Sequence, residues 1–227
     1  QGVFAILCCD IIEHSRSAAD EADALKRVIA RYKQWSKLLE TQRSGLMDEQ
    51  SRKGLLGELL FLEGRITNTD SAMVAVQGWS GADGADQDFI YSDGWFEIKS
   101  IGLSAASVTI SSLEQLNCDD AGELVINRID KSPPDKAGAV SLNDVVRRMS
   151  ASLIGNADAL DMFRTKLSQY GYIDLQEYSE QKYHCSSTQR YCVDDTFPKL
   201  TTNNVPAQVV SLHYELDLPS LAGWMKE

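Results

Sequence analysis

The sequence predicts an α/β fold, a mixed central sheet flanked by helices and followed by an α+β C-terminal extension. Two hydrophobic periods alternate along the chain, three-and-four over residues 17–42 and 48–64 and two over residues 86–100, a pattern that packs helices on a sheet. Asp93-Gly94 lies between two strand-like runs in DQDFIYSDGWFEIKS and is a strong local hairpin signal. β-Branched runs at 108–110 and 122–130 add further strands. With 227 residues and 43% hydrophobic content the chain can bury one sizeable core. The expected division is a core over residues 1–130 and an extension over 131–227 packed on it.

Taken in order, QGVFAILCCD has no initiator methionine and no basic leader, and predicts a strand entered partway through a longer protein whose N-terminal part is missing. Over 17–42, Leu25, Val28, Ile29, Tyr32, Trp35, Leu38 and Leu39 recur at three and four, so a charged amphipathic helix should cover the sheet. Residues 48–64 predict a second helix, and AMVAVQ at 72–77 an outer strand. The loop GWSGADG lacks a following GKS or GKT and is no phosphate-binding loop; its Asp83 and Asp86 suit turns or an outer shell of acids. Val108-Thr109-Ile110 predicts a strand, Ser111 or Ser112 the cap of a helix SLEQL, and GELVINRID at 122–130 a core strand. Pro133-Pro134 makes DKSPPDKAGAVS a loop. Ser141-Leu142 opens a helix to about Leu153, and ADALDMFRTKLSQYG is another, stopped by Gly171. QKYHCSSTQRYCV and PAQVVSLHYELDL predict two late antiparallel strands.

The hairpin carries the chemistry. With Ser92 facing Trp95, the expected pairs are Tyr91 with Phe96, Ile90 with Glu97, Phe89 with Ile98 and Asp88 with Lys99. Phe89, Tyr91, Phe96 and Ile98 then share a core face, and Asp88, Ile90, Trp95, Glu97 and Lys99 the other. The three charges gather at the end away from the turn. Buried charges are costly, about 3–5 kcal/mol when a partner is lost. Two arrangements satisfy them: a structural Asp88–Lys99 ion pair with Glu97 at a solvated rim, or a hard-cation site. Two carboxylates with water or phosphate suit Mg²⁺ or Mn²⁺, and an adjacent lysine could serve a water in metal-assisted phosphodiester hydrolysis.

Glu58 has Leu55 and Leu62 as helical neighbours, which sets a carboxylate in an apolar stripe unless the helix rotates it to water. Glu63 should face solvent.

Gln87-Asp88 followed by Glu97-Ile98-Lys99, behind a glutamate-bearing helix, resembles the PD-(D/E)xK nuclease superfamily. Together with RKGLLGELLFLE at 52–63, VQGWSGADGADQDF at 76–89, VTISSLEQL at 108–116 and DDTFPKL at 194–200, it resembles the bacterial PD-(D/E)XK motif proteins associated with restriction-modification and phage-defence loci. The similarity runs from about Lys26 to the C-terminus and departs at Gln87, where superfamily members often carry proline. The resemblance implies a restriction-endonuclease-like fold and a Mg²⁺-dependent DNA endonuclease. Asp88, Glu97 and the Ile98 carbonyl would hold the metal, Glu58 on the preceding helix would support them and help complete the metal site, Lys99 would serve the water, and Gln115 would support. The alternative is an inactive nuclease-fold subunit acting as a scaffold or specificity module, and partner subunits of a defence system are implied in either case. A nucleotide or small phosphate-ester hydrolase is a third option.

Composition weighs against autonomous DNA binding. The 22 basic and 33 acidic residues give a net charge of −11, whereas phosphate backbones are held by local lysines and arginines. Lys26, Arg27, Arg31 and Lys33, then Arg52-Lys53, then Arg147-Arg148 are the basic clusters, each readable as a solvated helix face. Five cysteines, two of them adjacent, argue against a disulfide framework and for a reducing cytoplasm, and His184, Cys185 and Cys192 lack the spacing of a zinc site. No apolar run reaches the roughly 18 residues of a membrane span.

Overall fold

The computed structural model describes residues 3–16, 18–41, 47–68, 71–118 and 120–226. Its centre is a four-stranded sheet of β1 (Phe89–Tyr91), β2 (Gly94–Ile101), β4 (Gly122–Ser132) and β5 (Lys182–Val193), in the order β1-β2-β4-β5. β2 and β4 run parallel, and the flanking pairs are antiparallel, so the sheet is mixed. The connection from β2 to β4 carries β3 (Ser107–Ile110) and a 3-10 turn, Glu114–Leu116. β3 pairs antiparallel with β6 (Tyr214–Asp217).

Period-two alternation fills both faces of the sheet. Phe89, Phe96, Ile98, Val125, Ile129 and Tyr183 point to one core, which α3 (Glu49–Asn68), α4 (Ala72–Gln77), α5 (Leu142–Ser152) and α6 (Ala157–Gln169) cover with Leu55, Leu59, Leu62, Val76, Val145 and Phe163. Trp95, Leu124, Ile126, Tyr191 and Val193 point to the other, closed by Val108, Ile110, Leu216, Leu218 and Leu221. The boundary expected at 130 falls inside β4, and residues after it supply β5, α5 and α6 to this sheet and its first core.

Caps explain the helix starts. Ser141 and Asp144 form a reciprocal capping box at α5, Asn156 caps α6, and Gly171 at φ 91° lies just past the α6 C-terminus. The short α4 starts at Ser71, whose side chain accepts from Val74 N, where a strand was expected. Five apolar residues followed by Gln77 cannot separate the two periods; the serine cap decides.

The N-terminal segment also departs from expectation. It is not a strand but α1 (Val3–Ser15), antiparallel neighbour of α2 (Glu21–Thr41). Asp10 on α1 takes a fork from Arg31 at 2.6 and 2.8 Å and a bond from Trp35 Nε1 at 2.7 Å, contacts that only a helix bringing Asp10 opposite α2 can make. Among the described residues α2 packs mainly on α1 and α6, and the helical side of the sheet is covered by α3, α4, α5 and α6; Leu25, Ile29 and Tyr32 stay exposed. Residues 17 and 42, at the ends of the expected helix, and the side chains of Leu38 and Leu39 lie outside what is described.

In the hairpin the register is offset by two residues from expectation: Phe89 opposes Phe96, Ile90 opposes Trp95, and Tyr91 opposes Gly94. The turn is Ser92-Asp93, positive φ is confined to Gly94 at 136°, and Arg65 grips both Asp93 oxygens at 2.9 Å while its guanidinium lies 4.1 Å over the Tyr91 ring. An even offset preserves the faces, so the aromatic core face stands as read.

Candidate active site

The offset puts Asp88 across from Glu97 instead of Lys99. Asp88 Oδ2 accepts from Ile98 N at 2.7 Å, which ties the acid to β2. The loop before it is zipped by Ser80 Oγ donating to the Gln87 carbonyl at 3.0 Å and Gly81 N donating to that of Asp88 at 2.9 Å. Gly81 is needed for this approach, since a Cβ there would lie 2.9 Å from Asp88 Oδ1.

The expected Asp88–Lys99 ion pair is replaced by one within β2. Lys99 Nζ stands 2.9 Å from Glu97 Oε1 and donates to Gln115 Oε1 at 3.0 Å. Glu97 is not at a rim: it is 1% exposed, and its Oε2 is buried without a partner. Gln115 lies in a 3-10 turn, not a longer helix, and neither Ser111 nor Ser112 caps it with a side chain; instead Ser111 N donates to Gln115 Oε1 at 2.7 Å. That bond aims the amide at Lys99.

Glu58 stays buried on α3, and the helix does not rotate it to water. Its Oε2 accepts from Trp79 Nε1 at 2.7 Å and its Oε1 from the Tyr170 hydroxyl. Glu63 is half-buried and takes a fork from Arg148 at 2.5 and 2.7 Å, so it does not simply face solvent. Asp83 is exposed and pairs with Lys166, and Asp86 is exposed.

The acids oppose one another electrostatically. Burial, and then the Asp88 charge, hold the Glu58 carboxyl well above the usual carboxylate range. Burial lifts Asp88 to about 6, against the Ile98 N–H and Lys99, which pull it down. Burial and the Asp88 charge push Glu97 to about 8, opposed by Lys99. An unpartnered buried oxygen on a carboxyl that already repels its neighbours costs free energy. A hard cation would complete both requirements, so the donor chemistry of Asp88, Glu97 and the Ile98 carbonyl fits Mg²⁺ or Mn²⁺. Among the described residues no three His, Cys, Asp or Glu side chains form a ligand cluster by themselves, and Mg²⁺ needs only one or two carboxylates because it keeps its waters. Glu58 already accepts two bonds, from Trp79 and from Tyr170.

Four contributors escaped sequence reasoning. Gln87 is buried and donates through Nε2 to the Glu114 carbonyl at 2.9 Å, which ties the start of β1 to the turn bearing Gln115. Trp79, Tyr170 and Lys166 come from the glycine-rich loop and the end of α6. Tyr170 is 112 residues from Glu58, and no local pattern links them.

The basic clusters are largely consumed. Arg27 pairs with Asp23, Arg31 with Asp10, Lys53 with Asp130, Arg147 with Asp174 and Arg148 with Glu63. All five cysteines are free thiols. Among the described residues no helix is long and apolar enough to cross a membrane.

Over residues 1–219 the chain matches the model of the family described as "Putative PD-(D/E)XK family member, (DUF4420)". No curated protein and no solved structure matches it.

Proposed function

The chain belongs to this PD-(D/E)XK family, and from that premise we propose that it is a Mg²⁺-dependent endonuclease-like domain that hydrolyses DNA phosphodiester bonds in bacterial restriction or phage defence. The observation that carries the reading is the convergence of Asp88, Glu97 and Lys99, with Glu97 Oε2 left unpartnered in a buried site.

Asp88, Glu97 and the Ile98 carbonyl would hold the cation. When bound, it supplies Lewis-acid polarisation of a phosphoryl oxygen and acidifies water. Lys99, steadied by Glu97 Oε1 and by a Gln115 whose own orientation is fixed, presents its amine to orient the attacking water and to stabilise negative charge building on phosphorus. Asp88 is kept in place from both sides of its own backbone, by the Gly81 N–H and through its side chain by the Ile98 N–H. Glu58, whose carboxyl burial and the Asp88 charge bias toward the neutral acid, would add its negative charge beside the pair only as an arriving cation draws off its proton.

The test is cleavage of plasmid DNA with Mg²⁺ or Mn²⁺ by the wild type, Lys99→Ala and Asp88→Ala. The expected result is nicking or linearisation by the wild type and at least a hundredfold loss in both variants. Equal residual activity in all three would identify contamination and remove the assignment.

A second reading is a nuclease-fold subunit without catalysis, serving as a scaffold or specificity module with partner subunits. The net charge of −11 and the pairing of Arg27, Arg31, Arg147 and Arg148 with acids favour it, because both reduce the positive charge offered to a phosphate backbone. Calorimetric titration with Mn²⁺ separates the two, since a scaffold has no reason to bind the ion through Asp88 and Glu97.

A further inference from the structure

The end of α6 reaches the acid cluster from outside the motif. Lys166 and Tyr170 are four residues apart, so they project from adjacent turns on one side of the helix end. The Lys166 amine is buried and donates to the Gln77 carbonyl at 3.2 Å, to the Trp79 carbonyl, and to Asp83 Oδ2 at 2.9 Å. It therefore grips the loop that runs from α4 to Asp88 at three points. The Tyr170 hydroxyl bonds Glu58 Oε1, and its ring stacks on Trp79 at 5.8 Å between centroids. Trp79 closes the circuit: its indole donates to Glu58 Oε2 at 2.7 Å, its backbone bridges to Phe89, and its carbonyl is one of the Lys166 acceptors.

A buried ammonium and a half-buried phenol are costly choices for packing alone, because apolar side chains of similar volume would fill the space without needing partners. Here every polar atom involved ends on a group that sets the position of Glu58 or of the strand start carrying Asp88. We propose that the last turn of α6 is a positioning clamp for the acid cluster, with Tyr170 fixing the Glu58 carboxyl and Lys166 fixing the loop that delivers Asp88. Neither residue touches the reacting atoms. The clamp rests on the metal-dependent reading above and adds to it two residues that lie outside the sequence motif.

Tyr170→Phe removes one hydroxyl and keeps the ring on Trp79, and Lys166→Met removes the ammonium and keeps the stem. Mn²⁺ affinity by calorimetry, melting temperature in chelator, and the Mn²⁺ dependence of plasmid cleavage are measured for each. Tyr170→Phe is expected to melt within a few degrees of the wild type in chelator and to bind Mn²⁺ about tenfold more weakly, the low end of the scale for groups outside a metal's own ligands. Cleavage should show a raised half-saturating Mn²⁺ concentration with a turnover rate at saturation close to wild type, a split that lost packing would not produce. Lys166→Met is expected to weaken Mn²⁺ binding by a similar factor. Wild-type Mn²⁺ binding with an equal affinity in Tyr170→Phe overturns the clamp alone, and so does a Tyr170→Phe chain that fails to fold. A wild type that binds no Mn²⁺ overturns the functional reading and the clamp with it.

Discussion

Raising the pH should tighten Mn²⁺ binding by an amount set by the protons on the acid cluster. Asp88 is lifted to about 6 and Glu97 to about 8, in both cases first by burial. Between those values Asp88 is ionised and Glu97 holds its proton, so a cation entering between them expels one proton. Affinity then rises about tenfold per pH unit, or about a hundredfold from pH 6 to pH 8. Below pH 6 the slope steepens, because Asp88 must also give up a proton; above pH 8 it flattens. Calorimetric titration at pH 6, 7 and 8, repeated in buffers of different ionisation enthalpy, measures both the affinity and the number of protons released. An affinity constant to within about threefold across that window, or one that tightens as pH falls, would refute the assignment of Glu97 as a buried ligand that titrates with the metal.

In chelator the sign reverses for stability. The folded Asp88 and Glu97 carboxyls hold protons that the unfolded chain releases, so their stabilisation is complete below the ordinary carboxylate range and is lost as pH rises through about 6 and about 8; the unfolding free energy measured by urea denaturation should fall from pH 5 to pH 8, by up to about 1.4 kcal/mol per pH unit per proton, and added Mn²⁺ should restore it. Gly57→Ala would place a Cβ 2.2 Å from Ser100 Oγ and 3.2 Å from Asn127 Nδ2, pushing α3 off β2; a loss of about 1–3 kcal/mol by urea denaturation is expected, together with weaker Mn²⁺ binding because Glu58 is the next residue. Asn143→Ala removes a buried amide that donates to Asp174 Oδ1, the Leu175 carbonyl and Ser179 Oγ and accepts from the Tyr172 hydroxyl. It should cost about 2–3 kcal/mol in the same assay and leave Mn²⁺ affinity unchanged.

The features legible in the sequence were those fixed by neighbours close along the chain. Period two placed Phe89, Tyr91, Phe96 and Ile98 on one face, and the charges on the other, whatever the turn did. The helix start at Ser141 and the stop at Gly171 were readable because each is a local hydrogen-bond requirement. The turn itself was misplaced because Arg65, far away on α3, holds Asp93 by its side chain. AMVAVQ and the N-terminal apolar run were ambiguous for the same reason: their periodicity is blurred, and a serine cap in one case and the Asp10–Arg31–Trp35 contacts in the other settle the outcome. Asp88, Glu97, Lys99 and Gln115 could be read as neighbours from the hairpin and the connection after it. The surroundings of Glu58 could not, since Trp79 and Tyr170 reach it only through tertiary packing.

β3 and β6 meet across a long stretch of chain, with Ser107 and Glu215, bonded at 2.7 Å, separated by 108 residues. A ribosome adding about 5–20 residues per second needs about 5–20 s to supply the second strand after the first. Until then the segment that presents Gln115 to Lys99 has nothing to pair with, and Tyr170 too has yet to be made for part of that time. A nascent chain thus carries the acidic motif long before it can hold it in working order, and any activity of the site would wait until β6 has been made.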